Sequence, residues 1–158
     1  MSIGIRPMRA GQEEAVAAML RRLPQDLGLA VVPKITGESL RENADLARVS
    51  VAEDSGLLLG VCLWVMTYSS WRGAKGIYIS DLYVMDHARG RKIGERLLRG
   101  VAREAQKQGA TFIKMEVDIA NGAAQRFYGR FGFKHKPDDQ YYVLEAEEFS
   151  TLSEGNAS

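Results

Sequence analysis

Apolar residues recur along this chain at two spacings, and the changes between them mark out its secondary structure. Ile3 and Ile5 alternate with small or polar neighbours ahead of Pro7, the pattern of a short strand that ends where proline removes a hydrogen-bond donor. Ala15, Val16, Met19, Leu20 and Leu23 then fall at helical spacing, with Pro24 as the expected stop. Thr36 is placed to cap a second, short helix reaching Leu46. From 47 to 68 the period becomes two, and Asp54-Ser55-Gly56 supplies turn chemistry between two antiparallel strands. Residues 76–85, rich in Ile, Tyr and Val, predict a further long strand.

Residues 91–108 carry Ile93, Leu97, Leu98, Val101, Ala102 and Ala105 as an apolar stripe, with Gly109 placed to end the helix. A strand over 112–117, a helix over 122–131 closed by Gly132, and a final pair of strands from Phe133 and over 141–144 complete the pattern. The class is α/β (α+β): a mixed sheet of about seven strands with about four helices on its faces. One domain over 1–149 is expected, with 150–158 a small, polar, flexible tail.

Composition narrows the partners. With 46% apolar and 26% charged residues the chain reads as an ordinary globular domain, and a formal net charge of +1 gives no global basic field for nucleic acid or an anionic membrane. No run approaches the roughly 20 apolar residues of a membrane span. The N-terminus lacks the basic-then-apolar order of a secretory signal, so a reducing, cytoplasmic location is expected. The one cysteine, Cys62, sits in an apolar run and is expected to be a buried structural thiol. His87 and His135 have no metal-ligand spacing with it or with each other, so no metal is implied.

The chemistry concentrates in two segments. The long strand runs through Asp86-His87-Ala88 into Arg89-Gly90-Arg91-Lys92-Ile93-Gly94-Glu95 and directly into the long helix. A helix N-terminus, open backbone amides and two arginines at one spot favour phosphate, although an ordinary strand-to-helix connection has the same outline. The second segment, Asn121 to Phe133, reads Asn-x-x-Ala-x-x-Phe-Tyr-x-x-x-Gly-Phe. With the Arg-Gly-x-x-Ile-Gly loop before it, at this separation and order, the chain resembles the GCN5-related N-acetyltransferase (GNAT) family over about residues 3–145.

That resemblance implies a mostly antiparallel sheet with a splay between strands 4 and 5, and acetyl-coenzyme A as acetyl donor. The backbone of Leu82, Tyr83 and Val84 would run beside the pantetheine arm. Amides of Arg89, Gly90, Arg91, Lys92, Ile93, Gly94 and Glu95 would hold the pyrophosphate, and Asn121 would reach the pantetheine. Tyr128 would protonate the departing thiolate; packing of Phe127 and Tyr128 within a helix is the simpler alternative. Most members carry glycine where this chain has Lys92, so the loop is expected to avoid conformations open only to glycine. The resemblance also implies a homodimer built through the C-terminal strands.

An alkyl ammonium titrates near ~10.4, so about one molecule in a thousand is nucleophilic at neutral pH and a base or water relay must take its proton. Asp81, an acid interrupting an apolar strand, is the candidate base; a structural carboxylate reads equally well. The stretches 68–73 and 79–85 resemble the spermidine/spermine and thialysine acetyltransferase branch, except that Ser80-Asp81 stands where several members have Glu-Asp. After the first helix only Asp26 is acidic, amid Leu27, Leu29, Val31 and Val32, which favours a small primary amine with a hydrocarbon or thioether part over a polyamine. Tyr68, Trp71 and Tyr78 read either as a substrate mouth or as core and oligomer contacts. A protein N-terminus or lysine as acceptor, and a non-catalytic acyl-coenzyme-A-binding module, are the alternatives.

Overall fold

The structure is a computed structural model that describes residues 2–155. The chain forms two compact units, Met1–Glu116 and Val117–Ser158. In the first, β1 (Ile3–Pro7), β2 (Arg48–Asp54), β3 (Leu57–Ser69), β4 (Ala74–Val84) and β5 (Ala110–Met115) form one sheet in that spatial order. The first four strands are antiparallel to their neighbours, and β5 lies parallel to β4. The β2–β3 turn places Ser55 at φ 52° and Gly56 at φ 86°, the doubly left-handed turn that matches strand twist in a two-residue hairpin.

Helices α1 (Glu13–Arg21), α2 (Leu23–Asp26) and α3 (Gly37–Glu42) precede β2, and α4 (Ile93–Lys107) joins β4 to β5. Pro24 opens α2 where a stop was expected, because a first helical turn has no use for the missing N–H. Thr36 caps α3 as expected: its Oγ1 accepts from Ser39 N at 3.0 Å, and Ser39 Oγ accepts from Thr36 N at 3.0 Å. The helix stops at Glu42, short of Leu46, as Asn43 leaves the helical region and its Nδ2 donates to Ser39 O at 2.8 Å.

Alternation divides the sheet into two faces. Val49, Val51, Val61, Leu63 and Tyr83 pack against Val16, Ala17, Met19 and Leu20 of α1 and Leu40 of α3. On the other face Ala52 and Leu59 join Ile93 and Leu97 of α4, with Leu82 and Val84 against them. Leu59 and Val61 share parity yet face opposite ways, because Ala52 pairs with Gly60 and Glu53 with Leu58, leaving Leu59 as the extra residue of a bulge. Gly76 lets β5 approach β4 closely: a Cβ there would lie 2.4 Å from the Phe112 ring.

The second unit holds α5 (Gly122–Gly129) and α6 (Ala146–Ser153). Asn121 Oδ1 caps α5, accepting from Ala124 N at 3.1 Å. The described residues therefore contain five strands and six α-helices, correcting the expected seven and four. The two closing strands are missing because Pro137 and Asp138-Asp139 turn the chain, and Tyr141, Tyr142, Val143 and Leu144 are all exposed. An alternating run forms a strand only where one face is covered and its backbone finds a ladder partner. The tail expected from Ser150 begins inside α6; Asn156, Ala157 and Ser158 lie outside the described residues. Among the described residues no helix is long and apolar enough to cross a membrane.

Cys62 pairs opposite Leu82 and is fully buried. Its thiol is pushed up to about 12, first by burial and then by the neighbouring Asp81 carboxylate. At about pH 8, native protein should give no thiol reaction with an aromatic disulfide reagent, and guanidinium-unfolded protein should give one thiol per chain. Fast native reaction would place Cys62 at the surface.

Candidate active site

The ladder between β4 and β5 covers only the first part of β4. Its pairing with β5 runs from Lys75↔Ala110 to Ile79↔Met115, whereas its pairing with β3 continues to Gly60↔Val84. Residues 80–84 thus hold one ladder and have no β5 partner among the described residues. A bulge sits where the ladder ends: Leu63 pairs with Asp81 and Trp64 with Ile79, so Ser80 is the extra residue. Cross-strand partners share a face, which puts Asp81 with Leu63 on the α1 side and Ile79 with Trp64 on the α4 side. Asp81 is half-buried, and Ser80 Oγ donates to its Oδ2 at 2.9 Å. Burial raises the Asp81 carboxyl above the usual carboxylate range, and the Ser80 hydrogen bond offsets part of that rise.

Beyond β4 a short turn (Asp86–Ala88) leads to the loop that starts α4. Gly90 takes φ 88° with open space around its Cβ position, so backbone conformation, not crowding, requires glycine there. Lys92 is the N-cap of α4, at φ 60° and ψ 25°, in the left-handed region. That region is costly but open to residues with a side chain, so the loop uses no glycine-only conformation at Lys92, and the helix begins at Ile93. A non-glycine residue there costs about 1–2 kcal/mol. Lys92 makes no side-chain cap, so the first-turn amides of Ile93, Gly94 and Glu95 have no acceptor from it. Ile93 is 1% exposed and its side chain is core, and the Glu95 carboxylate accepts from Arg99 Nε at 3.3 Å. Both can serve a ligand only through the backbone. An uncapped N-terminus on a 15-residue helix is a site whose donors and dipole suit a pyrophosphate.

Arg89 does not point free into this loop. Its Nη2 donates to Asp26 Oδ2 at 2.7 Å, its Nη1 to Asp86 Oδ1 at 2.8 Å, and its Nε to the Val84 carbonyl at 3.2 Å. Tyr83, 4% exposed, donates its hydroxyl to the same Asp26 oxygen, and the Arg89 guanidinium lies 5.7 Å from the Tyr83 ring centre. The Tyr83 hydrogen bond, then Arg89, hold the Asp26 carboxyl below its ordinary range. Burial, then the same bond, raise the Tyr83 phenol. Asp26 was visible in the sequence as the lone acid after α1, but nothing local joins it to residues 57 and 63 positions away.

One cluster in the first unit thus brings together Asp81, Leu82, Tyr83, Val84 and the 89–95 loop. Tyr128 and Asn121 belong to the second unit. There Tyr128 is half-buried on α5, its ring centre 5.1 Å from that of Phe127 and 5.3 Å from that of Phe133, both edge-on. Asn121, expected to reach the pantetheine, caps α5 through its side-chain oxygen. At the β3–β4 turn Trp71 is 99% exposed and Tyr68 is 69% exposed, which excludes both from the core of their unit.

A model of the acetyltransferase (GNAT) family matches residues 17–133. Thialysine N-epsilon-acetyltransferase of Mus musculus is 29% identical over 143 residues, spanning 83% of this chain and 84% of that protein. Aminoalkylphosphonate N-acetyltransferase of Salmonella typhimurium is 36% identical over 67 residues, 42% of this chain and 41% of that protein. Among solved structures, an integron cassette protein from the mobile metagenome of V. cholerae superposes with a TM-score of 0.79 at 19% identity, covering 97% of this chain and 98% of the other. At that identity the likeness is one of fold.

Lys92→Gly should relieve the left-handed strain, set against glycine's greater unfolded-state entropy, for a net gain of up to about 1 kcal/mol. Calorimetry should then show a melting temperature about 2–4 °C higher. A lower one would mean that the lysine side chain contributes more than its backbone costs.

Proposed function

The chain belongs to the acetyltransferase (GNAT) family, and on that premise we propose that it transfers an acetyl group from acetyl-coenzyme A to the primary amine of a small, lysine-like molecule. The observation that carries this reading is the uncapped start of α4 beside a β4 edge that β5 leaves after Ile79. The first offers amides and a dipole to the pyrophosphate; the second leaves backbone groups open to the amide-bearing pantetheine arm. Acetyl-coenzyme A, when bound there, supplies an activated acyl group on a thiol.

The chain's own residues then divide the proton work. Asp81 takes the proton from the acceptor ammonium, for which a carboxyl raised above its ordinary range is better matched than a surface aspartate. A backbone N–H of the open β4 edge offers a donor to the carbonyl oxygen as it gains charge. As the amine nitrogen bonded the acyl carbon and the carbon–sulfur bond broke, Tyr128 would give its phenolic proton to the leaving thiolate, and the second proton shed by the acylated nitrogen would restore the phenol. Its edge-on contacts with Phe127 and Phe133 hold the ring in one orientation.

The acceptor class rests on two supports. The mouse relative is named for thialysine, a lysine-like amine with a thioether, and it aligns over most of both chains. Here the segment after α2 exposes Leu27, Leu29, Val31 and Val32, each 47% to 67% accessible, and follows in sequence directly on Asp26, the one carboxylate of that stretch. Such a wall suits one cationic end and an apolar middle; a second ammonium would lose water without gaining a partner. A chain with one cysteine, itself buried, builds no internal disulfide, which suits a reducing cytoplasm. The exposed run Tyr141, Tyr142, Val143 and Leu144, with Phe149 and Leu152 on α6, suits a homodimer contact.

A thiol-release assay with acetyl-coenzyme A should show turnover of lysine analogues well above that of spermine, and equal turnover would overturn the acceptor class. Tyr128→Phe should lower kcat by about 10²-fold or more and leave coenzyme A affinity unchanged; full activity would remove its acid role. Sedimentation equilibrium should return about twice the 17.5 kDa chain mass, and a monomer at micromolar concentration would remove the dimer.

A further inference from the structure

The guanidinium that the phosphate loop would offer a pyrophosphate is already held by carboxylates. Asp26 and Asp86 lie on opposite terminal nitrogens of Arg89, and the Val84 carbonyl takes the third donor. Arg22 also acts on Asp26, and Arg91 and Lys92 stand in the same loop, so the conflict is one of occupied donors and not of net charge: a pyrophosphate that recruits the Arg89 guanidinium must displace one of the two carboxylates. They are not equivalent. Asp86 belongs to the loop itself, three residues from Arg89, with its side chain 76% exposed. Asp26 comes from the far side of the sequence on the single turn of α2, and residues 29–36 after it have no regular structure. It also keeps a second partner, the Tyr83 hydroxyl, which would hold it in place when Arg89 turns away.

We infer that Asp26 is an exchangeable counter-ion: the cofactor's pyrophosphate takes Arg89 from it, and the carboxylate so released, steadied by Tyr83, receives the ammonium of the acceptor amine. This rests on the reading of the 89–95 loop as the pyrophosphate site. Asp26 and Tyr83 lie on the side of the sheet that carries Asp81, because Tyr83 and Leu63, the cross-strand partner of Asp81, pack in the same α1-side cluster. The donor site and the acceptor site are then coupled through one shared oxygen, Asp26 Oδ2. Donor binding creates the acceptor's anion, and by linkage a bound amine strengthens coenzyme A binding by the same factor. The device has a specificity consequence as well. An amine presented before the cofactor finds its carboxylate neutralised by Arg89 and binds more weakly by that same factor.

The test compares coenzyme A binding by calorimetry, with and without a lysine analogue, in wild type, Asp26→Asn, Asp26→Glu and Asp86→Asn. Asp26→Asn keeps the size and the Tyr83 contact but removes the charge. It should tighten coenzyme A binding by at least about fivefold, raise KM for the amine with little change in kcat, and abolish the enhancement of one ligand by the other. Asp26→Glu should restore both the amine KM and the mutual enhancement, a rescue that also reads the charge should the asparagine variant fold poorly. Asp86→Asn should tighten coenzyme A binding and leave the amine KM alone. A residue that merely supported the loop would weaken cofactor and amine together when replaced. Unchanged or weaker coenzyme A binding in Asp26→Asn overturns this inference alone, whereas no coenzyme A binding by wild type overturns the reading of the loop and the inference with it.

Discussion

A hydrogen-bond ladder that stops halfway along a strand governs the rest of this structure. β4 is an interior strand as far as Ile79 and, among the described residues, has only its β3 partner from there to Val84. Backbone N–H and C=O groups taken out of water need partners, so a half-abandoned strand persists only where water, another chain segment or a ligand meets it. The strand keeps its shape here through β3 and through the core residues on both its faces, Tyr83 toward α1 and Leu82 and Val84 toward α4. Because the β5 ladder ends at Met115, the last part of β4, which leads to the start of α4, has no β5 partner among the described residues. The loop conformation, the carboxylate at Asp81 and the counter-ions of Arg89 all answer to that arrangement.

Charge is organised around the same edge in a way that hydrophobic burial alone would not produce. Two carboxylates converge on Arg89, and Arg22 acts on one of them, Asp26, as well. Exposed ion pairs of this kind contribute little to stability, so their arrangement is better understood through what they compete with than through what they hold together. Asp81 differs: half-buried, with the Ser80 hydroxyl donating to it, this carboxylate is kept near the sheet by a bulge and not by an opposing cation.

Much of this was legible in the residues. Period-two and helical stripes located β2, β3, β4 and α4 to within a few positions, since those elements bury one face apiece and the burial writes itself into spacing. The two glycine-bearing motifs located the loop and α5. Other features were not legible, for identifiable reasons. Pro24 reads as a stop in any linear scan, whereas its effect depends on whether the next turn is a new helix. The left-handed Lys92 has no sequence signature, because lysine is not selected for that conformation and only the demand of the strand-to-helix turn imposes it. The run 141–144 carries a strand pattern but is exposed in the single chain, and pattern states what a segment could pair with, not whether the partner is there. The contact of Asp26 with Tyr83 and Arg89 joins distant positions through side chains, which no local spacing encodes.

The bulge at Ser80 has a consequence for chain length. Ile79 and Asp81 already lie on opposite faces, as immediate neighbours in a regular strand would. Loss of the single codon for Ser80 would therefore leave the cross-strand pairs on either side in register and rotate no side chain to the wrong face. It would cost only the hydroxyl that donates to Asp81. Few positions in an interior strand tolerate a change of length, since a one-residue slip ordinarily exchanges core and surface. Here a lineage could gain or lose a residue beside the Asp81 carboxylate while the sheet stays intact, and tune that group by insertion and deletion where most strands allow only substitution.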